Sequence, residues 1–174
     1  MSRSSCRFGR DKEPRAEALA SENYIALLRQ LTTTPRPPAV LLFGGPEEVE
    51  PHARIRAEVP SEHIFYPETK NFRQASALMK HLRGFLSVDT VLMHMAAAMK
   101  VRNQIVIEAP TLNATNVPYG NSFTVIKNPA VNGRNLDYYR YNGGPIKGSD
   151  EELIALMKSV RVEEVLKAVL GALA

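Results

Sequence analysis

The sequence predicts an α/β fold, a Rossmann-like parallel sheet with flanking helices. Three observations carry this reading. The run at 39–43 is short and continuously apolar, the pattern of a strand buried on both faces, and shorter strands read at 85–88 and 104–107. Segments with apolar residues at helical spacing alternate with those runs, as they do in parallel-sheet proteins. The runs also lead into Gly44-Gly45-Pro46, Asp89-Thr90 and Ala109-Pro110-Thr111. Ligands of open α/β sheets bind beyond the carboxyl ends of the strands, so these three polar segments should converge there.

Residues 1–21 show no clear periodicity and read as a flexible or irregular segment, leaving 22–174 as one domain. Tyr24, Ile25, Leu27, Leu28 and Leu31 recur at helical spacing over 22–31, and a proline-rich connector follows at 32–38. The strand at 39–43 ends at the two glycines. Residues 47–58 read as helix, with Pro51 tolerable only in its first turn. A brief strand at 63–66 comes next. Asn71 is a natural N-cap for a helix carrying Ala75, Leu78, Met79 and Leu82, stopped by Gly84. Strand 85–88, helix 91–100, strand 104–107 and strand 123–126 follow in order. Residues 128–148 are rich in Gly, Asn and Pro and read as loop, with tyrosines at 138, 139 and 141. Ser149-Asp150-Glu151-Glu152 is a capping box that opens a helix to Lys158, and an amphipathic helix over 162–173 closes the chain.

With 174 residues, 44% hydrophobic and 23% charged, the chain has the length and composition of a soluble globular domain. No apolar run approaches the roughly 18–20 residues of a membrane helix. Residues 1–15 contain no apolar core of a secretory signal. Cys6 stands alone, so an internal disulfide is excluded and a reducing cytoplasm fits. A net charge of +4 leaves nucleic acid, an anionic small ligand or an anionic membrane surface as partner classes. Much of that excess sits in Arg3, Arg7, Arg10, Lys12 and Arg15. No arginine-rich helix and no basic strand interleaved with aromatics is present, which argues against nucleic acid.

Asp89 and Thr90 precede a helix, whose unpaired amides and positive dipole end suit an anion. Simple capping by either side chain is the competing reading. His94 is early enough in the helix to reach a ligand, or it packs against the sheet. Asp89 and His94 supply only two ligands without a third at convincing spacing, so no metal is expected. No Gly-x-Ser-x-Gly elbow supports a serine hydrolase. Gly44 and Gly45 allow a tight turn or a close ligand approach. Glu47 and Glu48 either complement a helix dipole or accept hydrogen bonds from ribose hydroxyls. The tyrosine cluster and the set Met93, Met95 and Met99 read as packing residues.

The run Ser87-Val88-Asp89-Thr90-Val91-Leu92-Met93-His94-Met95-Ala96-Ala97-Ala98, with Ala109-Pro110-Thr111 downstream, resembles glycosyltransferase family 9, the ADP-heptose:lipopolysaccharide heptosyltransferases. Pro118-Tyr119-Gly120 is similar to the family's Pro-Tyr-Gly, and Phe43-Gly44-Gly45-Pro46-Glu47-Glu48 to its Gly-rich loop and acid. The resemblance covers 22–173 and matches the C-terminal, nucleotide-sugar-binding half of a two-domain GT-B enzyme. It implies that Asp89 contacts the donor sugar, that Thr90, Val91 and His94 hold the diphosphate, and that Glu48 lies near the nucleoside. Gly44, Gly45 and Thr111 complete the implied donor site. The implied chemistry is inverting and metal-independent, with no cofactor beyond a nucleotide-sugar donor such as ADP-heptose. The implied acceptor is a glycan or glycolipid of the lipopolysaccharide type, and the base lies in an N-terminal domain outside these residues. Such a protein is cytoplasmic, with peripheral association at the inner face of the inner membrane and no nucleic-acid partner. Two positions depart from the family: Val91 replaces the usual Gly, and the family's Lys-x-Trp-Pro is not recognisable near 17–20. Those departures favour the alternative of a binding or structural module without turnover.

Overall fold

The structure, a computed structural model, describes residues 21–120, 123–138 and 146–174. The expectations for 1–20, including Cys6 and the segment 17–20, and those for Tyr139 and Tyr141 lie outside the described residues. Helix α1 (Ser21–Thr32) leads into β1 (Val40–Leu41); a 3₁₀ turn (Pro46–Glu48) then runs into α2 (Val49–Glu58) and β2 (Ile64–Phe65). Next come α3 (Phe72–Met79), β3 (Gly84–Ser87), α4 (Val91–Ala98), β4 (Asn103–Ile107) and β5 (Phe123–Ile126). Helices α5 (Asn135–Tyr138), α6 (Asp150–Lys158) and α7 (Val162–Leu173) follow.

Local chemistry accounts for most boundaries. Asn71 Oδ1 accepts the Gln74 amide at 3.1 Å, and Ser149 Oγ accepts the Glu152 amide at 3.2 Å. Glu152 completes only half of the expected capping box, because its carboxylate takes the Tyr138 hydroxyl at 3.4 Å. Pro51 falls in the first turn of α2, where its missing N–H has no helical acceptor to lose. Several boundaries differ from the sequence reading: the strands read at 39–43 and 63–66 keep two residues each, a 3₁₀ turn replaces the first residues of the helix read at 47–58, and β3 and β4 each start one residue early. Helix α3 stops at Met79, because the amides of His81 and Leu82 turn back to the carbonyls of Leu78 and Met79. Helix α4 stops at Ala98 rather than 100. Lys100 adopts φ 58°, and the amides of Val101 and Lys100 bond the carbonyls of Ala96 and Ala97, a Schellman closure that uses lysine in the usual place of glycine. The stretch 128–148 also contains α5, whose four described residues are too few to show helical periodicity.

Among the described residues all strand pairs are parallel, and they form two ladders rather than one continuous sheet: β1–β2, and β3–β4–β5. Successive side chains alternate between faces. Leu86, Ile105 and Ile107 pack with Leu27 and Leu31 of α1 and Val165 of α7. On the opposite face, Phe85 packs with Met79 of α3 and Ala96 of α4, and Val106 packs with Met93 of α4. Helices thus cover both faces, as a Rossmann-like domain requires. Val40 contacts the cores under both ladders and joins them. Met93 is fully buried, and Met95 and Met99 pack around the α3–α4 core, so the methionines are packing residues. Tyr138 is likewise buried, against Leu153 and Leu156.

The carboxyl ends of β4 and β5 are fastened by a buried polar network. Asn128 donates from Nδ2 to the Leu156 carbonyl at 3.0 Å and accepts at Oδ1 from the Ala130 amide at 3.0 Å and Ser159 Oγ at 2.8 Å. Its amide donates to Glu108 Oε2 at 2.9 Å, and Lys127 Nζ reaches Oε1 of the same carboxylate at 3.4 Å. Removing a partner strands buried polar groups, so Asn128→Ala is expected to lower unfolding free energy by roughly 2–4 kcal/mol. Urea denaturation followed by circular dichroism measures this; a change under about 0.5 kcal/mol would show that the network does not hold α6 to β5.

Candidate functional site at the carboxyl edge

Strand β3 pairs with β4 so that Ser87 lies opposite Val106. Two residues past Ser87 the chain reaches Asp89; five past Val106 it reaches Thr111. The register brings these side chains together: Thr111 Oγ1 donates to Asp89 Oδ2 at 2.9 Å. Asn116 Nδ2 donates to the same oxygen at 2.7 Å, and also to the Thr111 carbonyl at 3.1 Å. The loop that carries Asn116 is set by Asn113, which donates to the Thr111 carbonyl at 3.1 Å and whose amide donates to Asn116 Oδ1 at 2.6 Å. Of the Asp89–Thr90 pair, only Thr90 caps: its Oγ1 accepts the Met93 amide at 3.4 Å. Asp89 faces the β4 loop instead, which separates the two readings open in the sequence.

The Asp89 carboxyl is half-buried, and burial raises its pKa. The hydrogen bond from Thr111, the charge of His94 and the hydrogen bond from Asn116 oppose that rise. His94 is exposed on the first turn of α4, not packed against the sheet. The amides of Val91 and Leu92 head the same helix, before the first intrahelical acceptor. Val91 is 57% exposed. The result is a carboxylate beside a dipole end that attracts negative charge, with a histidine within its field.

A second cluster lies past β1. Glu48 Oε2 accepts the Gly45 amide at 2.6 Å, closing the 3₁₀ turn. Its charge acts on His52 and on partly buried Tyr24. Burial is the main cause of the raised Tyr24 pKa, with Glu48 adding to it. His52 is held below the ordinary histidine range by burial; Glu48 opposes this and Arg56 reinforces it. The His52 ring meets Tyr66 edge-on at 5.4 Å, and the Arg56 guanidinium lies 4.2 Å over the Tyr66 ring. A Cβ on Gly44 would lie 2.6 Å from His52 Cε1 and 2.7 Å from Glu48 Cβ, so Gly44 serves the close approach of α2 to the loop. Gly45 is extended, at φ −114°, and a Cβ there would meet only Glu48 Oε2, at 3.5 Å. Phe43 packs edge-on against Phe85 at 6.2 Å, setting this loop beside β3.

The structure therefore joins Asp89 directly to Thr111, places Thr90 as the cap and Val91 and His94 in the first turn of the helix that follows, and sets His52 against Gly44, with Glu48 holding the Gly45 amide. Sequence reasoning missed Asn116, His52, Arg56 and Tyr66. Asn113-x-x-Asn116 just after Ala109-Pro110-Thr111 was the available signal for the first; the others lie at ordinary helical and loop positions with no motif. Among the described residues, no three His, Cys, Asp or Glu side chains are grouped to hold a metal. No described helix is long and apolar enough to cross a membrane.

A family model described as glycosyltransferase family 9 (heptosyltransferase) matches residues 19–142. That span contains both clusters and the five strands of the described residues. No curated protein and no solved structure matches the chain.

Two outcomes test the geometry. Gly44→Ala is expected to cost roughly 1–3 kcal/mol through overpacking, whereas Gly45→Ala should stay within about 0.5 kcal/mol of the parent. Equal effects in thermal melts would contradict the close approach of His52. For Asp89, a raised folded-state pKa means that the folded protein binds its proton more tightly than the unfolded chain does. Its destabilising contribution is absent below the ordinary carboxylate range and grows as pH rises through the folded pKa. Asp89→Asn should therefore match the parent's stability in acid and exceed it at neutral pH; a neutral-pH loss of stability would refute the burial cost.

Proposed function

The chain belongs to glycosyltransferase family 9, and we propose that its carboxyl edge binds the nucleotide-diphosphate-sugar donor. Membership implies a nucleotide-sugar donor and a glycan acceptor; the donor ADP-heptose and a lipopolysaccharide-type acceptor are our finer reading. The observation that carries it is the Asp89 carboxylate, fixed by Thr111 and Asn116 beside the N-terminus of α4. In this reading Asp89 accepts from hydroxyls of the donor sugar. The amides of Val91 and Leu92, with His94, face the diphosphate, and Glu48 lies toward the ribose.

The proposed reaction is displacement at the anomeric carbon. The acceptor hydroxyl oxygen forms the new glycosidic bond, its proton passing to a base on the companion N-terminal domain of a GT-B architecture. The bond from the anomeric carbon to the phosphate oxygen breaks, and the nucleoside diphosphate leaves with the electron pair. Helix-end amides stabilise the charge that develops on that leaving group, a role that requires no metal. A location at the cytoplasmic face of a membrane follows from the acceptor class. The second reading, a donor-binding module without turnover, is favoured by the exposed side chain of Val91 at the head of α4 and by the unrecognisable Lys-x-Trp-Pro.

Isothermal titration with ADP and ADP-sugars tests the site. Binding is expected, with Asp89→Ala weakening the sugar nucleotide roughly tenfold more than ADP, because one charged hydrogen-bond acceptor for the sugar is lost. His94→Ala should weaken both ligands alike. No binding at about millimolar ligand to the folded protein would refute the donor site. Donor binding without transfer to any glycan, in the presence of an N-terminal family domain, would select the second reading.

A further inference from the structure

Helices α3 and α4 leave a groove of about 480 Å³ on the outer side of the layer they form. Val91, Met95 and Met99 make one apolar ridge of it at four-residue spacing, and Phe72, Ser76 and Ala77 face them from α3. Phe72 is 63% exposed and Val91 57%. Helix α4 is apolar nearly all round: Met93 and Ala96 are buried against the sheet while the ridge lies on the other side. A helix of that composition is ordinarily covered on every side. Two cations, Arg73 and Lys80, line the groove, and no acid does. The surrounding sequence, 70–102, holds six Lys or Arg (Lys70, Arg73, Lys80, Arg83, Lys100 and Arg102). It holds a single acid, Asp89, which is engaged by Thr111 and Asn116. That local excess is larger than the net +4 of the whole chain.

We propose that the α3–α4 groove docks the protein on an anionic lipid bilayer. The inference assigns a surface to the membrane location proposed above and rests on that reading; donor binding is tested separately by titration and does not bear on it. Protruding Phe72 and Val91 suit insertion among acyl chains at the headgroup boundary, while Arg73 and Lys80 pair with lipid phosphates. A second copy of the chain is the poorer occupant. A two-fold contact would set Arg73 and Lys80 against the same pair of cations. Nucleic acid is poorer still, since the apolar ridge is aliphatic and offers one aromatic ring.

Co-sedimentation of the full chain with extruded vesicles tests this. Binding is expected to phosphatidylglycerol-rich vesicles and not to pure phosphatidylcholine, with affinity falling as salt rises. The double variant Arg73→Gln/Lys80→Gln should weaken binding roughly 25-fold, and Phe72→Ser roughly fivefold. Both act at exposed positions, and circular dichroism confirms that each remains folded. The pair Lys158→Gln/Lys167→Gln, on α6 and α7, removes equal charge away from the groove and should change binding less than about twofold. An equal loss from that control pair would overturn the proposal in favour of diffuse charge attraction. So would failure of the folded parent to bind anionic vesicles, tighter binding to polyglutamate than to those vesicles, or self-association abolished by Phe72→Ser.

Discussion

Ser87 lies opposite Val106 in the parallel β3–β4 ladder, and the site at the carboxyl edge depends on that register. It brings two loops from separate parts of the sequence within hydrogen-bonding distance, so that Thr111 and Asn116 share one oxygen of Asp89. A slip of one residue would exchange the faces of β3, sending Phe85 and Leu86 to the wrong cores and Asp89 away from its partners. The core holds the register because each face is specified by different helices. Leu86 and Ile105 meet α1 and α7, while Phe85 meets α3 and α4.

The polar groups at this edge differ in how they are satisfied. Glu108 and Asn128 are deeply buried and answered by backbone and side-chain partners, so they fasten strands to α6. Asp89 is half-buried, and desolvation dominates its electrostatics even with two donors on one oxygen. A half-buried carboxyl whose ionisation is opposed by burial works against folding, which is consistent with the donor-binding role proposed for Asp89. Gly44 shows the opposite lesson. Its missing side chain is accounted for by His52 and Glu48, and thus by packing.

Helix α4 serves both functional readings. Its first turn presents Thr90, Val91 and His94 at the strand edge; its outer ridge, with α3, forms an apolar groove rimmed by cations. If both proposals hold, one helix joins the donor site to the membrane-docking surface.

The sequence by itself determined the fold class, the order of the principal helices and strands, and the caps at Asn71 and Ser149. These follow from residues a few positions apart, where apolar spacing and side-chain capping act locally. It also placed Asp89 and Thr111 on one edge, because parallel strands separated by helices leave their carboxyl ends together. Only the tertiary structure decided that Asp89 takes Thr111 and Asn116 while Thr90 alone caps, that His52 fills the space Gly44 leaves, and that α4 exposes an apolar ridge. It likewise decided the split into two ladders and the left-handed turn at Lys100. Each of these is set by residues distant in sequence or by a backbone dihedral angle, and neither leaves a periodic trace in the chain.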